Sequence, residues 1–157
     1  MSEDRQSVAE APPTKPQECG DGPPRLIARY GRMNSLGLFR FQLDAEPRPG
    51  DRVVLRTERG AELGTVVGVL GEGPRRLDEK AVRSYEQSCG VENPFSRTGK
   101  VLRMASPQDL NDQLHLDRSA GDEAVNCRKF VEELALDMRI VDVEHLLGGE
   151  RIVFYFT

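Results

Sequence analysis

Four short segments with an alternating apolar and polar pattern lie between residues 26 and 70, and this pattern limits the fold more than any other feature. In GLFRFQL (37–43), two phenylalanines and a leucine point to one side of a strand, and arginine and glutamine point to the other. Turns rich in glycine and proline separate this segment from its neighbours at 26–30, 51–57 and 61–70. The pattern predicts a small antiparallel β-meander or a barrel-like sheet.

Two glycines in this region have predicted backbone roles. Gly60 follows Glu58 and Arg59 in a tight turn between two predicted strands, so we expect a positive φ angle there. Gly64 lies inside the next strand, where glycine is typical of a bulge or a bend, and we expect it to be the bulge or bend residue.

The second half of the chain has a different rhythm. After a predicted strand at 100–105, the Ser106-Pro107 pair is typical of a helix start. Apolar residues then recur every three or four positions to about Leu136, which predicts one long helix or two in succession. Two further strands follow, joined by a glycine turn, at 137–147 and 151–156. This β-α-β-β order is that of an incomplete ferredoxin-like unit.

We therefore predict an α+β fold in which the β-meander and the β-α-β-β unit pack together as one domain. Five prolines and few large apolar residues predict that the amino-terminal tail is disordered. The segment after the meander is interpreted as a linker with room for a short helix near 78–87. The predicted boundaries are 1–24 for the disordered tail, 25–71 for the meander, 72–98 for the linker and 99–157 for the β-α-β-β unit.

The last predicted strand is apolar on both faces, and Thr157 follows it directly. Such a strand needs cover on both faces, so we expect part of the carboxy-terminal sheet to be uncovered. An uncovered sheet favours a partner protein or a homo-oligomer formed through this sheet. The alternative is that the long helix covers one face and the meander covers the other.

The net charge of −4 is unevenly distributed along the chain. Residues 25–60 carry eight arginines and four acids, whereas the segments on both sides are acidic. A basic block in an acidic protein points to an anionic partner, although arginines can also simply cover solvated strand faces. The candidate residues for binding a partner or nucleic acid are Arg29, Arg40, Arg52, Arg56 and Arg59.

Strand alternation places Arg40, Arg52 and Arg56 opposite the apolar residues, so we expect them to be exposed and close together. Guanidinium groups on such a face suit phosphates or acidic protein surfaces. The face has no evident aromatic pair on which bases could stack. Backbone contact or protein docking is therefore favoured over sequence-specific RNA recognition.

The sequence contains no recognisable catalytic or metal-binding motif. Cys19, Cys89 and Cys127 form no C-x-x-C pair, and Cys127 fits the apolar face of the predicted helix as a small buried residue. Glu58 and Glu62 could be an acid–base pair, but surface charges beside the neighbouring arginines are the simpler interpretation. We expect no catalytic residue, no metal site and no cofactor.

Localisation is predicted from what the chain lacks. No apolar run approaches the ~20 residues that a membrane helix needs, and the first twenty-five residues lack an apolar signal segment. Three widely spaced cysteines fit a reducing compartment better than a disulfide framework. These features predict a cytoplasmic protein without a membrane span.

Three segments in order, at 29–67, 99–110 and 134–157, resemble the carboxy-terminal conserved region of the polymerase-suppressor family. Bacterial members of this family are the YaaT or RicT-type cell-fate regulators. The best single signature is GDRVVLRTERGAELGTV (50–66), which is followed by KVLRMA and by the LDM…VDVE…FYFT tail.

The resemblance implies a non-enzymatic cytoplasmic regulator or adaptor that acts in a protein complex on RNA processing and cell-fate decisions. YaaT-type proteins also have a cysteine-rich region implicated in binding an iron–sulfur cluster. In the family pattern those cysteines would lie beyond Thr157, so they have no counterpart in this sequence. The alternatives are a direct RNA-binding module that uses a basic β-sheet face, and an enzyme of unknown reaction.

Overall fold

The computed structural model describes residues 22–157, so nearly all of the predicted disordered tail lies outside the described residues. The described part is α+β, as predicted, with a closed five-stranded barrel, two helices and a two-stranded sheet. The strands are β1 (Arg25–Tyr30), β2 (Ser35–Arg40), β3 (Arg52–Arg56), β4 (Ala61–Val69), β5 (Ser96–Met104), β6 (Ile140–His145) and β7 (Ile152–Phe156). The helices are α1 (Glu79–Ser88) and α2 (Pro107–Glu133).

The barrel has the strand order β1-β2-β5-β3-β4, and β4 pairs back with β1 to close it. All its pairings are antiparallel except that of β2 with β5, which is parallel. The position of β5 corrects the prediction, which made this strand the first element of the carboxy-terminal unit. Because β2 and β3 do not pair with each other, β5 fills the gap between them and completes the barrel.

The inner face of the barrel holds the main hydrophobic core. Gly99 of β5 is required there, because a Cβ atom at this position would overlap the ring of Phe39. Tyr30 packs edge-on against the same ring, with centroids 5.6 Å apart. The buried core residues are Leu26, Ala28, Tyr30, Phe39, Phe41, Val53, Leu55, Val66, Val69 and Val101.

The structure confirms the prediction for Gly60 and shows that Gly64 is not at a bulge. Gly60 has a φ of +145°, and its carbonyl accepts a hydrogen bond of 2.9 Å from the backbone N–H of Thr57. Gly64 is not the bulge residue. The pairing of β4 with β1 is irregular at Val67, which lies between the paired residues Val66 and Gly68. A Cβ at Gly64 would instead overlap the side chain of Leu55, so this glycine permits close packing.

Helix α1 lies within the segment that was interpreted as a linker. Asp78 caps its first turn by accepting a hydrogen bond of 2.7 Å from the N–H of Ala81. Its one fully buried residue, Val82, packs with Ile27 and Leu38 on the outside of the barrel. Part of the predicted linker therefore covers one side of the barrel.

Helix α2 is continuous, so the single long helix is the correct alternative of the two predicted. A capping box between Ser106 and Asp109 starts it, as the Ser-Pro pair predicts. Ala120 and Ala124 pack on Ile140 and Val143 of β6, with Cys127 half-buried beside them. Small residues at this seam let the helix lie close to the sheet.

Strands β6 and β7 form a separate antiparallel sheet, whose connecting turn contains Gly148 and Gly149 with φ angles of +97° and +71°. The expected β-α-β-β order is present along the chain, but its first strand pairs within the barrel rather than with this sheet. Among residues 22–157, neither helix is long and apolar enough to cross a membrane.

Candidate functional site

Two of the five predicted arginines lie on the outside of the barrel with a lysine between them. Arg40 on β2 is the register partner of Lys100 on β5, which in turn is the partner of Arg56 on β3. Register partners share one face of a sheet, and all three side chains are exposed. We call Arg40, Lys100 and Arg56 the basic row. At a strand spacing of about 4.8 Å, the row spans about 10 Å.

Arg29 and Arg52 lie elsewhere on the barrel. They flank Thr65 of β4, which pairs with Arg29 of β1 on one side and Arg52 of β3 on the other. Both arginines are exposed. Along β3, the buried side chain of Val54 separates Arg52 from Arg56. Of the three arginines expected to be exposed and close together, all are exposed, but Arg52 lies four residues from Arg56 along β3 and beside Arg29 rather than in the basic row.

Arg59, the fifth candidate binding residue, is half-buried in an ion-pair network. Its Nη1 lies 2.6 Å from Oε1 of Glu144 and donates to the hydroxyl of Tyr155 at 2.8 Å. Its Nη2 contacts Glu62. Burial alone would lower the pKa of Arg59, but the hydrogen bonds and charges of both glutamates outweigh it and raise the pKa above its ordinary value. Arg59 therefore stays positively charged, and its guanidinium is held by both glutamates.

Glu62 corrects a second expectation, because it is 3% exposed rather than a surface charge. It is the register partner of Leu55, whose side chain lies in the barrel core, so Glu62 also points inward at the end of the barrel. The hydroxyl of Thr57 and the guanidinium of Arg59 donate hydrogen bonds to its carboxylate. Glu58 is exposed and accepts a hydrogen bond of 3.0 Å from a threonine hydroxyl on β5.

The same network joins the barrel to the β6–β7 sheet. The Tyr155 hydroxyl donates to Oε1 of Glu144 at 2.7 Å, and the backbone N–H of Arg32 donates to Oε2 at 2.7 Å. Burial, and then the hydrogen bond to Glu144, raises the pKa of Tyr155 to about 12. Arg151 donates to the carbonyl of Arg59 at 2.7 Å. The two buried carboxylates of the network, Glu62 and Glu144, thus each accept hydrogen bonds from more than one donor.

A polar cleft of about 170 Å³ lies between the barrel, α2 and β6. Arg52, Glu62 and Asp117 line it from three different elements. His145 of β6 also lines it, and neither of its ring nitrogens has a hydrogen-bond partner among residues 22–157. Over the same described range, no three His, Cys, Asp or Glu side chains are arranged to hold a metal ion.

Strand β7 carries an uncovered apolar stripe, in agreement with the expectation for the carboxy-terminal sheet. Ile152, Phe154 and Phe156 are 40%, 39% and 62% exposed. Their register partners on β6 include Val143 and Ile140, which helix α2 covers. Since α2 packs over β6, the neighbouring strand is left beside it without cover. We call Ile152, Phe154 and Phe156 the β7 stripe.

Sequence reasoning misses three residues that organise these sites. Lys100 is missed because the placement of β5 between β2 and β3 is a long-range pairing. The local sequence does contain one signal, since Lys100 precedes the buried Val101 in a strand and its side chain is therefore expected to point outward. Glu144 and Tyr155 are missed because they contact Arg59 across a separation of more than eighty residues. No local pattern marks such a contact.

Comparison with known proteins supports the resemblance seen in the sequence. Residues 99–157 match the family model described as the PSP1 C-terminal conserved region. Over 105 residues, the chain is 32% identical to the Stage 0 sporulation protein YaaT of Bacillus subtilis (strain 168). That match covers 67% of this chain and 32% of the relative, so the chain spans about a third of the length of the curated relative it matches. No solved structure matches the chain.

Proposed function

Because residues 99–157 belong to the PSP1 C-terminal conserved region family, we propose that this protein is a non-enzymatic cytoplasmic regulator that acts by binding another protein. The similarity to a Bacillus subtilis protein named for stage 0 of sporulation supports a regulatory role. The single observation that carries the binding mode is the β7 stripe, which lies within the matched region.

The stripe has the features of a protein-binding surface. Two aromatic side chains, Phe154 and Phe156, are exposed side by side with Ile152, and aromatic residues commonly dominate the energy of protein interfaces. Within the described residues, β7 pairs with β6 alone, so its other edge offers backbone donors and acceptors to a partner strand. A partner can therefore gain apolar burial and backbone hydrogen bonds at one place.

The rival candidate is a direct RNA-binding module, which the basic row favours. The two candidates respond differently to salt. Contacts to phosphates weaken steeply as salt increases, whereas apolar docking on the β7 stripe persists. A complex that survives 0.5 M salt therefore supports the regulator that binds protein.

The test is photo-cross-linking in the cells from which the protein comes. The photoreactive residue p-benzoylphenylalanine replaces Phe154 in one variant and Leu114 in the control variant. Leu114 is an exposed apolar residue of α2 outside the stripe. We expect a discrete covalent adduct with a second protein from position 154 and none from position 114.

Three outcomes would contradict the proposal. Position 154 could give no adduct, or both positions could give the same adducts. Either result would mean that the stripe is not the surface that binds the partner. Position 154 could also give only an adduct between two copies of this chain, which would make the stripe a homo-oligomer interface. Light scattering on the purified protein identifies this last outcome, because a homo-oligomer has a molar mass that is a multiple of the mass of one chain.

A further inference from the structure

We propose that the polar cleft between the barrel, α2 and β6 binds a small zwitterion of the amino-acid class, which carries one carboxylate and one ammonium group. The inference goes beyond the proposed function, because it assigns a ligand to a site that shares no residue with the β7 stripe. Binding at the cleft needs no partner protein, so either idea can fail without the other.

The observation that points to a ligand is His145, a buried imidazole whose ring nitrogens are unpaired. His145 lines the cleft and is 9% exposed, yet neither Nδ1 nor Nε2 has a hydrogen-bond partner within residues 22–157. A neutral imidazole has one donor and one acceptor, and both are costly to bury unpaired. A polar ligand in the cleft would therefore gain hydrogen bonds that the neighbouring side chains do not take up.

The strand alternation places His145 on the side of β6 that faces α2. It lies two residues after Val143, which packs with Ala120 of this helix, and alternate residues of a strand share one face. Asp117 and Gln113 lie about one and two turns before Ala120, and both line the cleft. The imidazole, a carboxylate and an amide from two elements therefore border the same space.

Two opposite charges of the cleft are available to a ligand. Arg52 lines it from the barrel and Asp117 lines it from α2, and neither takes part in the salt bridges formed within residues 22–157. The carboxylate of Asp117 accepts a hydrogen bond of 2.9 Å from the neutral amide of Gln113. A carboxylate of the ligand suits the guanidinium, and an ammonium of the ligand suits Asp117.

The other charged groups that line the cleft are already paired. Glu62 and Glu144 share the guanidinium of Arg59, and Arg32 donates to an aspartate of β6 at 2.9 Å. One cation and one carboxylate are therefore left over. This balance favours a zwitterion, because a ligand with a single charge would leave the opposite charge of the cleft without a partner.

The volume of the cleft limits the size of the ligand. The cleft holds about 170 Å³. A cavity of about 150 Å³ accommodates benzene, so we expect a molecule of roughly six to ten non-hydrogen atoms. Most free amino acids have this size, whereas nucleotides and peptides are larger. Leu63 and Leu146 also line the cleft and offer apolar contact to the body of such a ligand.

The test is isothermal titration calorimetry of the full chain with each of the twenty protein amino acids near pH 7. We expect at least one of them to bind. The analogues of that amino acid that lack the amino group or the carboxylate should bind at least about tenfold more weakly, because each loses one charge-assisted hydrogen bond.

Two cleft variants, Arg52→Gln and Asp117→Asn, change exposed side chains and so should leave the fold intact. Each has a matched control. Arg56→Gln changes another exposed arginine of β3, and Asp112→Asn changes an aspartate of α2 that also accepts a hydrogen bond from a glutamine four residues earlier. We expect each cleft variant to weaken binding at least about tenfold and each control to leave it unchanged.

His145→Phe tests the imidazole itself. This variant removes both unpaired nitrogens, so it should weaken binding while its midpoint of urea denaturation is unchanged or higher. Three results would overturn the proposal: no amino acid binds, the control variants lose as much affinity as the cleft variants, or a singly charged analogue binds as tightly as the zwitterion. Unchanged binding by His145→Phe would contradict it as well.

Discussion

Arg59 links two parts of the molecule through one guanidinium group. Its planar fork of donors reaches Glu62 in the barrel and Glu144 in the carboxy-terminal sheet, which the single ammonium of lysine would not match. Buried charges are costly unless every group is paired. Here Thr57 and Tyr155 donate to the two carboxylates, so the network is well satisfied. Residue 59 is therefore structural, although the sequence alone suggests a surface role.

Gly60 lies in the β3–β4 turn, between Arg59 and Glu62 of this network. Gly60→Val should lower the free energy of unfolding by about 1–3 kcal/mol, because a β-branched residue is strained at a φ of +145°. The new Cβ would also lie 3.4 Å from Cδ1 of Leu146. Urea denaturation measures the change. Gly90→Val is the control, since Gly90 is exposed and has open space around it; equal losses in both variants would contradict the explanation.

At the scale of elements, the start of α2 depends on one carboxylate. Asp109 completes the capping box with Ser106 and also pairs with Arg103 of β5, so it ties the helix to the barrel. Hydrogen bonds from Arg103, and then from the backbone of Ser106, hold the pKa of Asp109 well below its usual range. The ionised carboxylate therefore contributes to the stability of this junction.

Asp109→Asn should destabilise the protein by about 1 kcal/mol at pH 7, as expected for loss of a helix cap. A carboxyl with a lowered pKa in the folded state contributes stability above its unfolded pKa of about 3.9 and loses it as the pH falls further. The difference between the two proteins should thus begin to shrink near pH 4 and continue to shrink as the pH falls below 3 in denaturant titrations. Asp112→Asn, at an exposed site one turn along, should show no such trend. A difference that is independent of pH would contradict this role of the charge.

At the scale of the whole molecule, the barrel and the carboxy-terminal sheet meet through polar groups. The ion pair of Arg59 with Glu144 and the hydrogen bond from the backbone of Arg32 cross this junction. Leu146 adds an apolar contact near Gly60. Separating the two partners of a buried ion pair is strongly destabilising. We therefore expect the barrel and the carboxy-terminal sheet to unfold together.

A double-mutant cycle with Arg59→Gln and Glu144→Gln tests this coupling. We expect a coupling energy of about 1–3 kcal/mol from urea denaturation, because removal of Arg59 takes from the buried Glu144 its ion-pair partner within residues 22–157, and removal of Glu144 leaves Arg59 with Glu62 alone. The cycle with Arg97→Gln and Glu86→Gln, an exposed pair at 2.7 Å, is the control and should give less than about 1 kcal/mol. Equal small couplings in the two cycles would mean that the junction network does not hold the parts together.

Local patterns in the sequence determined the α+β class, most of the strands, the start of α2 and the positive φ of Gly60. These features depend on neighbours a few residues apart, since strand alternation, helix capping and turn geometry are all short-range effects. The exposed β7 stripe agrees with the expectation of a partly uncovered carboxy-terminal sheet, which the sequence weighed against cover of one face by the helix and of the other by the meander.

Only the tertiary structure decided where β5 lies, which arginines share a face, and that Arg59 is half-buried and Glu62 buried. A strand's alternation says which side chains face outward but not which strands lie beside it, because pairing is chosen by how the whole barrel closes. Lys100 therefore joins Arg40 and Arg56 only through the insertion of β5. Glu62 is buried because its register places it inside the barrel, where Thr57 and Arg59 donate to it, and the contact of Arg59 with Glu144 is a long-range pairing that leaves no mark in the local sequence.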